Sequence, residues 1–206
     1  MSTIIYSGEF GRSVAACIAA RQSGCAATML DVAQLRAAAS RLEGQVFALF
    51  SSLRLDLMQE AAQRLAARAT LFTCFAFERH VLLAPPCSPE GICAQCFSRR
   101  LLSQPPEPYG AETLFFLAKL AAQPGAAELR AYPASLADLT AQLCLLQERG
   151  LLAPTDSVAI DSASGAIVSS RIMPVHGCTC RSPSRTTCAG PQRFTAFHGE
   201  LSTWLA

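Results

Sequence analysis

Two hydrophobic periods run along this chain, and together they predict a mixed α/β fold. Thr3–Ser7, Ala27–Asp31, Gln45–Phe50 and Leu71–Ala76 are short apolar, β-rich runs of the kind that form buried strands. Between them lie stretches with helical spacing: Ser13–Ala20, Val32–Arg41 and Arg54–Arg68. In the last, Leu57, Ala61, Leu65 and Ala69 recur on one face, while Arg54, Glu60, Arg64 and Arg68 occupy the others. Strand and helix alternating in this way favour a sheet covered by helices. Arg79–Ala84 is predicted to pair with Leu71–Ala76. Further on, Phe97–Leu102 reads as a helix and the proline-rich Gln104–Tyr109 as a rigid connector. Leu114–Leu120 belongs to a helix apolar nearly all round, which implies burial in the core or against a partner chain. The pattern then predicts a helix capped by Ser135 and running to Arg149, with Gly150 at its C-cap. Two strands, Asp156–Asp161 and Ala166–Met173, follow around the turn Ser162–Gly165.

The opening of the chain has a more specific reading. A strand, the glycine-containing turn Gly8-Glu9-Phe10-Gly11, a helix and a second strand ending in Asp31 form the first βαβ unit of a Rossmann-type sheet. A working dinucleotide fingerprint is G-x-G-x-x-G, whose second glycine lets the backbone approach a pyrophosphate. With Gly8 as the first glycine, Phe10 stands at the second position and Ser13 at the third. A phenylalanine there fills the space a phosphate needs. Asp31 sits where a ribose-binding acid belongs, and equally where a cap for the next helix would be. The pattern therefore predicts a degenerate Rossmann-like half without a nucleotide site.

Composition adds chemistry to this frame. The net charge is +2 and evenly spread, too little for a nucleic-acid footprint. No apolar run is long enough to cross a membrane, and Met1–Tyr6 lacks the pattern of a secretory signal. A cytoplasmic location and no membrane contact are the expectation. Ten cysteines in such a chain point to metal rather than disulfides. Cys93-Ala94-Gln95-Cys96 has the C-x-x-C spacing that holds two sulfurs on one side of a zinc ion. Cys178-Thr179-Cys180, far downstream, supplies a tighter C-x-C pair. Cys93, Cys96, Cys178 and Cys180 are thus the candidate ligands of a structural Zn2+, with Cys188 or His176 as alternative fourth ligands and Cys87 set aside because it breaks the spacing. Four thiolates leave no open position for water, so such a metal is structural and not catalytic. The other reading of these thiols is free or redox-active. The expected organisation is a degenerate Rossmann-like half over 1–84, a helical and strand half closed by zinc over 85–180, and a tail over 181–206.

With both cysteine pairs in view, the chain resembles a known family. Val81-Leu82-Leu83-Ala84-Pro85-Pro86, followed by Cys93-x-x-Cys96-x-x-Arg99, is similar to the cysteine region of ThiF-like (ubiquitin-activating-enzyme-like) proteins of azole-modified peptide pathways. The strand from Ile167 into Pro174-x-x-x-Cys178-x-Cys180 is similar to that family's closing zinc half. The resemblance spans roughly residues 3–180. It implies a non-catalytic partner of a YcaO-type cyclodehydratase, the subunit that uses ATP to turn Cys, Ser or Thr of a ribosomal precursor peptide into azolines. It also implies a heteromeric complex, with the precursor peptide, a flavin-dependent dehydrogenase and a leader-binding subunit as further candidate members. Two departures are visible. The first strand begins at Thr3, which leaves no room for the family's N-terminal peptide clamp, and the second pair is C-x-C.

Two other functions stay in play. An adenylating enzyme of the same fold needs a phosphate-cradling turn and an activated thiol, for which Cys74 and Cys144 are the candidates, each in an apolar run. A zinc-thiolate redox or sensor protein rests on cysteine number. His80, His176 and His198 are scattered and build no catalytic constellation, so no catalytic or cofactor-binding residue is assigned.

Overall fold

The computed structural model describes residues 2–22, 28–31, 34, 42–65, 68–88, 91–105, 108–123, 128–129, 131–176 and 178. The chain divides into one unit spanning Met1–Val175 and a second spanning His176–Ala206. All the strands and helices described below belong to the first unit. They are β1 (Ser2–Ser7), α1 (Gly8–Arg21), β2 (Thr28–Asp31), β3 (Gly44–Phe50), α2 (Leu55–Leu65), β4 (Ala69–Phe77), β5 (His80–Leu83), α3 (Ala94–Ser103), α4 (Ala111–Ala121), α5 (Ala134–Glu148), β6 (Asp156–Asp161) and β7 (Ile167–Arg171). No described helix is long and apolar enough to cross a membrane.

The seven strands form one sheet in the order β2-β1-β3-β4-β5-β6-β7. β1 to β4 are mutually parallel, and β5, β6 and β7 continue the sheet as an antiparallel meander. The near-continuous apolar runs of β3 and β4 follow from burial on both faces. Alternate residues go to opposite sides. Phe47, Leu49, Phe72, Cys74 and Ala76 join Phe10, Val14, Ile18, Leu136, Ala141 and Cys144 of α1 and α5 in one core. On the other face Phe50 and Phe75 stack at 5.7 Å, and Phe75 stacks on Phe97 of α3 at 6.4 Å. The parallel block therefore has helices on both sides.

The helices start earlier than their periodicity suggests. α1 begins at Gly8 rather than Ser13, because the turn out of β1 is a single residue. Gly8 takes φ +69°, a left-handed conformation that costs glycine little. Gly11 lies where α1 crosses β3, and a Cβ there would be 2.5 Å from the Leu49 carbonyl oxygen. α3 begins at Ala94, inside the C-x-x-C sequence, because Cys93 serves as its N-cap. α5 begins at Ala134 with Pro133 in the N-cap position, so Ser135 does not cap it. The helix expected over Val32–Arg41 lies outside the described residues. The β6–β7 hairpin turns at Ser162–Gly165 as read, closed by Asp161, whose carboxylate accepts from Ala163 N (2.8 Å) and Ser164 N (3.2 Å).

Candidate functional site

Two places on this frame carry chemistry. The first is the crevice at the carboxyl ends of β1 and β3. β2 lies on one side of β1 and β3 on the other, so the sheet order reverses there. Open α/β sheets bind their ligands at such a switch point, against the N-terminus of the helix that follows the strand. Here the chain fills that space with its own groups. Ser51, just past β3 and fully buried, accepts from Gly11 N (2.9 Å) and donates to Ser7 O (2.7 Å). Gly11 N–H lies in the first turn of α1, four residues past the carbonyl of the N-cap Ser7. Glu128 comes in from the α4–α5 connection, and its neighbour Leu129 donates from N to Ser51 O at 2.8 Å. The Glu128 carboxylate lies against Gly8, where an added Cβ would collide with it and stand 2.5 Å from Ser51 Oγ. A negative side chain at the helix N-terminus satisfies the positive end of the dipole and repels a phosphate. Phe10 is 1% exposed and meets the Tyr132 ring edge-on at 4.9 Å. It is a core residue at the position where the fingerprint needs glycine. Asp31 ends β2 opposite Tyr6 in the register.

Ser51 and Glu128 were not legible as functional residues. They lie 43 and 120 positions from Gly8 (51 − 8 and 128 − 8), in no motif, and only the folded topology brings them to it.

The second place is the cysteine turn ahead of α3. Cys93 Sγ accepts from Cys96 N at 3.4 Å, the side-chain cap of the helix. Cys96 is buried, and its sulfur accepts from Val175 N at 3.3 Å. Arg100, one turn along the same helix, donates to the carbonyls of Met173 (3.0 Å) and Pro174 (3.3 Å). Strand β7 thus runs out onto α3, and residue 175 is fixed on the Cys96 sulfur three positions before Cys178. The sulfurs of Cys93, Cys96 and Cys178 lie within 4.8 Å of one another. Ligands of a tetrahedral ion with metal–sulfur bonds of about 2.3 Å are about 3.8 Å apart, so this donor set fits a thiophilic metal with small adjustments. Cys180 and Cys188 lie outside the described residues. Neither His176 nor Cys87 is in the cluster. The Cys87 backbone makes a two-bond bridge with Leu71, at 2.9 Å each way, and burial pushes its thiol pKa up.

The cysteines considered as nucleophiles are in the wrong setting. Cys74 and Cys144 are buried and face each other. The hydrogen bond between the thiols, together with burial, raises the Cys74 pKa well above its ordinary value, opposite to what a nucleophilic thiol needs. A third polar cluster sits at the β4–β5 turn. Glu78 has φ +50°, and its carboxylate accepts from Tyr109 OH at 2.7 Å; that hydroxyl also lies 3.2 Å from His80 Nδ1. Arg79 pairs with Asp161. These groups tie the end of the proline-rich connector to the β4–β5 turn and to β6.

The frame of this chain is thus a mixed sheet with a self-filled switch-point crevice, a meander extension and a thiol cluster. Solved structures share this fold. A chain of the E. coli microcin synthetase McbBCD complex superposes with a TM-score of 0.63 at 15% identity, covering 87% of this chain and 67% of that one. A heterocyclase in complex with substrate and cofactor gives 0.54 at 13%, covering 87% of this chain and 25% of that chain. E. coli MccB gives 0.52 at 11%, covering 88% and 65%. The chain thus shares its fold with chains of microcin synthetase and heterocyclase structures, the systems to which the resemblance read from the cysteine contexts pointed. No protein-family model and no curated protein matches the sequence.

Proposed function

We propose that this chain is a non-catalytic scaffold subunit of an azoline-forming peptide synthetase. It would help present a ribosomal precursor peptide to a YcaO-type subunit that uses ATP. The observation that carries this reading is the crevice at β1 and β3, which Ser51 and Glu128 fill from within a fold otherwise like that of microcin synthetase and heterocyclase chains. In this reading the sheet is a Rossmann-like one that has given up its nucleotide, and the chain's work is assembly. Cys93, Cys96, Cys178 and Cys180 would hold one Zn2+. The ion supplies no reaction chemistry; it fastens the turn before α3 to the chain beyond β7. On this reading 1–84 would be the degenerate Rossmann-like half, 85–180 the helical and strand half closed by zinc, and 181–206 the tail.

Reconstitution with a candidate YcaO-type subunit and its precursor tests the proposal. Intact mass should fall by one water per ring only when both proteins are present. Equal ring formation without this chain would contradict it.

A second reading, adenylation of a peptide carboxylate, draws on the likeness to MccB. The Glu128 carboxylate over Gly8 and the raised pKa of Cys74 both weigh against it. Pyrophosphate exchange by the isolated protein would restore it.

A further inference from the structure

β7 ends the sheet, and among the described residues no strand lies beyond it. Its hydrogen bonds to β6 assign its two edges. Ala166 O accepts from Asp161 N (2.9 Å) and Ile172 N donates to Thr155 O (2.8 Å), and the register pairs Val168 with Ala159 and Ser170 with Ser157. In an antiparallel ladder bonded pairs alternate, so Val168 and Ser170 bond inward. The N–H and C=O groups of Ile167, Ser169 and Arg171 therefore point away from the sheet. Natural sheets blunt such an edge with proline, lysine, a bulge or a covering element. This one carries Ile-Val-Ser-Ser-Arg, and Ile167 and Val168 are 49% and 58% exposed.

Beside that edge lies a groove of about 370 Å³ between β6–β7 and α3. Its apolar wall includes Leu82, Phe97, Leu101 and Val168. Arg100 lines it, with no carboxylate among the lining residues. Arg171 contributes to the lining from the strand, but its side chain shares the opposite face with Ser169 and Asp156, the latter 3.9 Å away.

We propose that β7 and this groove form a docking site for an extended peptide segment that adds a strand to the sheet. Main-chain bonds to Ile167, Ser169 and Arg171 supply affinity. Every second side chain of the guest turns into the groove, so apolar residues are favoured at those positions. Arg100 favours a guest with a carboxylate at the groove mouth. The proposal rests on the function given above for one point only, that the guest belongs to the peptide being modified.

The test uses the full chain and a fluorescein-labelled decapeptide that alternates valine and threonine and carries one glutamate. Anisotropy should report saturable micromolar binding, weakened at least about tenfold when the glutamate is lysine. Ser169→Pro is the decisive variant. Ser169 N–H faces away from β6, so proline there removes an outward donor without breaking the internal ladder. The variant should keep the wild-type melting temperature and lose at least about tenfold in affinity. Binding unaffected by Ser169→Pro, equal binding of both peptides, or no binding of either would overturn the proposal. So would concentration-dependent dimers that Ser169→Pro abolishes, since the occupant would then be a second copy. Ring formation in the reconstituted system that needs this chain but survives Ser169→Pro would overturn the docking site and leave the scaffold function standing.

Discussion

Replacing Ser51 by alanine removes one oxygen and tests whether the crevice at β1 and β3 is a built structural feature. Ser51 Oγ is the acceptor for Gly11 N–H at 2.9 Å and the donor to Ser7 O at 2.7 Å, in a residue with no solvent exposure. Both partners keep another bond. Ser7 O keeps a second donor, Ser51 N, at 3.2 Å. Gly11 N–H keeps the carbonyl of the N-cap Ser7, four residues back, as its helical acceptor. A typical hydrogen bond contributes about 0.5–1.5 kcal/mol net. Losing two should therefore destabilise the protein by about 1–3 kcal/mol, with little change in the urea m-value because the folded surface is the same. Equilibrium urea unfolding followed by far-UV circular dichroism measures this directly. The variant should still take up no ATP, since the Glu128 carboxylate remains over Gly8. A loss below about 0.5 kcal/mol, the range of an ordinary surface change, would refute the role given to Ser51.

Further outcomes follow from the same geometry. Pure protein should contain one zinc per chain; Cys93→Ser or Cys96→Ser should lower the bound metal, and chelation should depress the melting temperature sharply, because a structural site contributes on the order of 10 kcal/mol to folding. Gly8→Ala should express poorly or melt lower, since it forces φ +69° on a residue with a Cβ and drives that atom into Glu128 and Ser51. Asp161, held to a pKa of about 2 chiefly by its hydrogen bond to Arg79, lies below its unfolded value; its stabilising contribution is present above the usual aspartate pKa and is lost as pH falls toward 2, which carboxyl NMR titration of wild type and Arg79→Ala would follow. Tyr109 is displaced the other way, by burial first and then by its bond to Glu78. Its contribution is full below the ordinary tyrosine pKa and fades as pH rises above it, so spectrophotometric titration should find one tyrosine ionising later than the others, and Tyr109→Phe should remove that late step.

The sequence made the sheet visible for a physical reason. Strands buried on both faces must be apolar at nearly every position, and the segments around Phe47, Phe72 and Val81 are. The hairpin at Ser162–Gly165 was equally plain, because its turn residues sit between two patterned strands. Helix starts were read late wherever a cap replaced a conventional signal: glycine at positive φ for α1, a cysteine sulfur for α3 and proline for α5. The apolar helix α4 left two options open, core or partner. The structure buries Leu114 and Ala121 and leaves Phe115 and Phe116 about half exposed. At the candidate sites, Phe10 was legible because one side chain in a glycine position changes the volume of a turn. Ser51 and Glu128 were not, since contacts between remote loops carry no local pattern. Arg100 carried a charge and nothing more until its carbonyl partners at 173 and 174 were placed.

If the switch-point crevice is occupied by the chain's own serine and glutamate, nucleotide has no place to enter. Titrating Mg·ATP into the isolated, metal-loaded protein by isothermal calorimetry puts this to the test. No saturable heat is the result the structure leads to. Stoichiometric binding, abolished by a bulky substitution at Gly8 or Gly11, would mean that the crevice opens and that the chain does chemistry of its own.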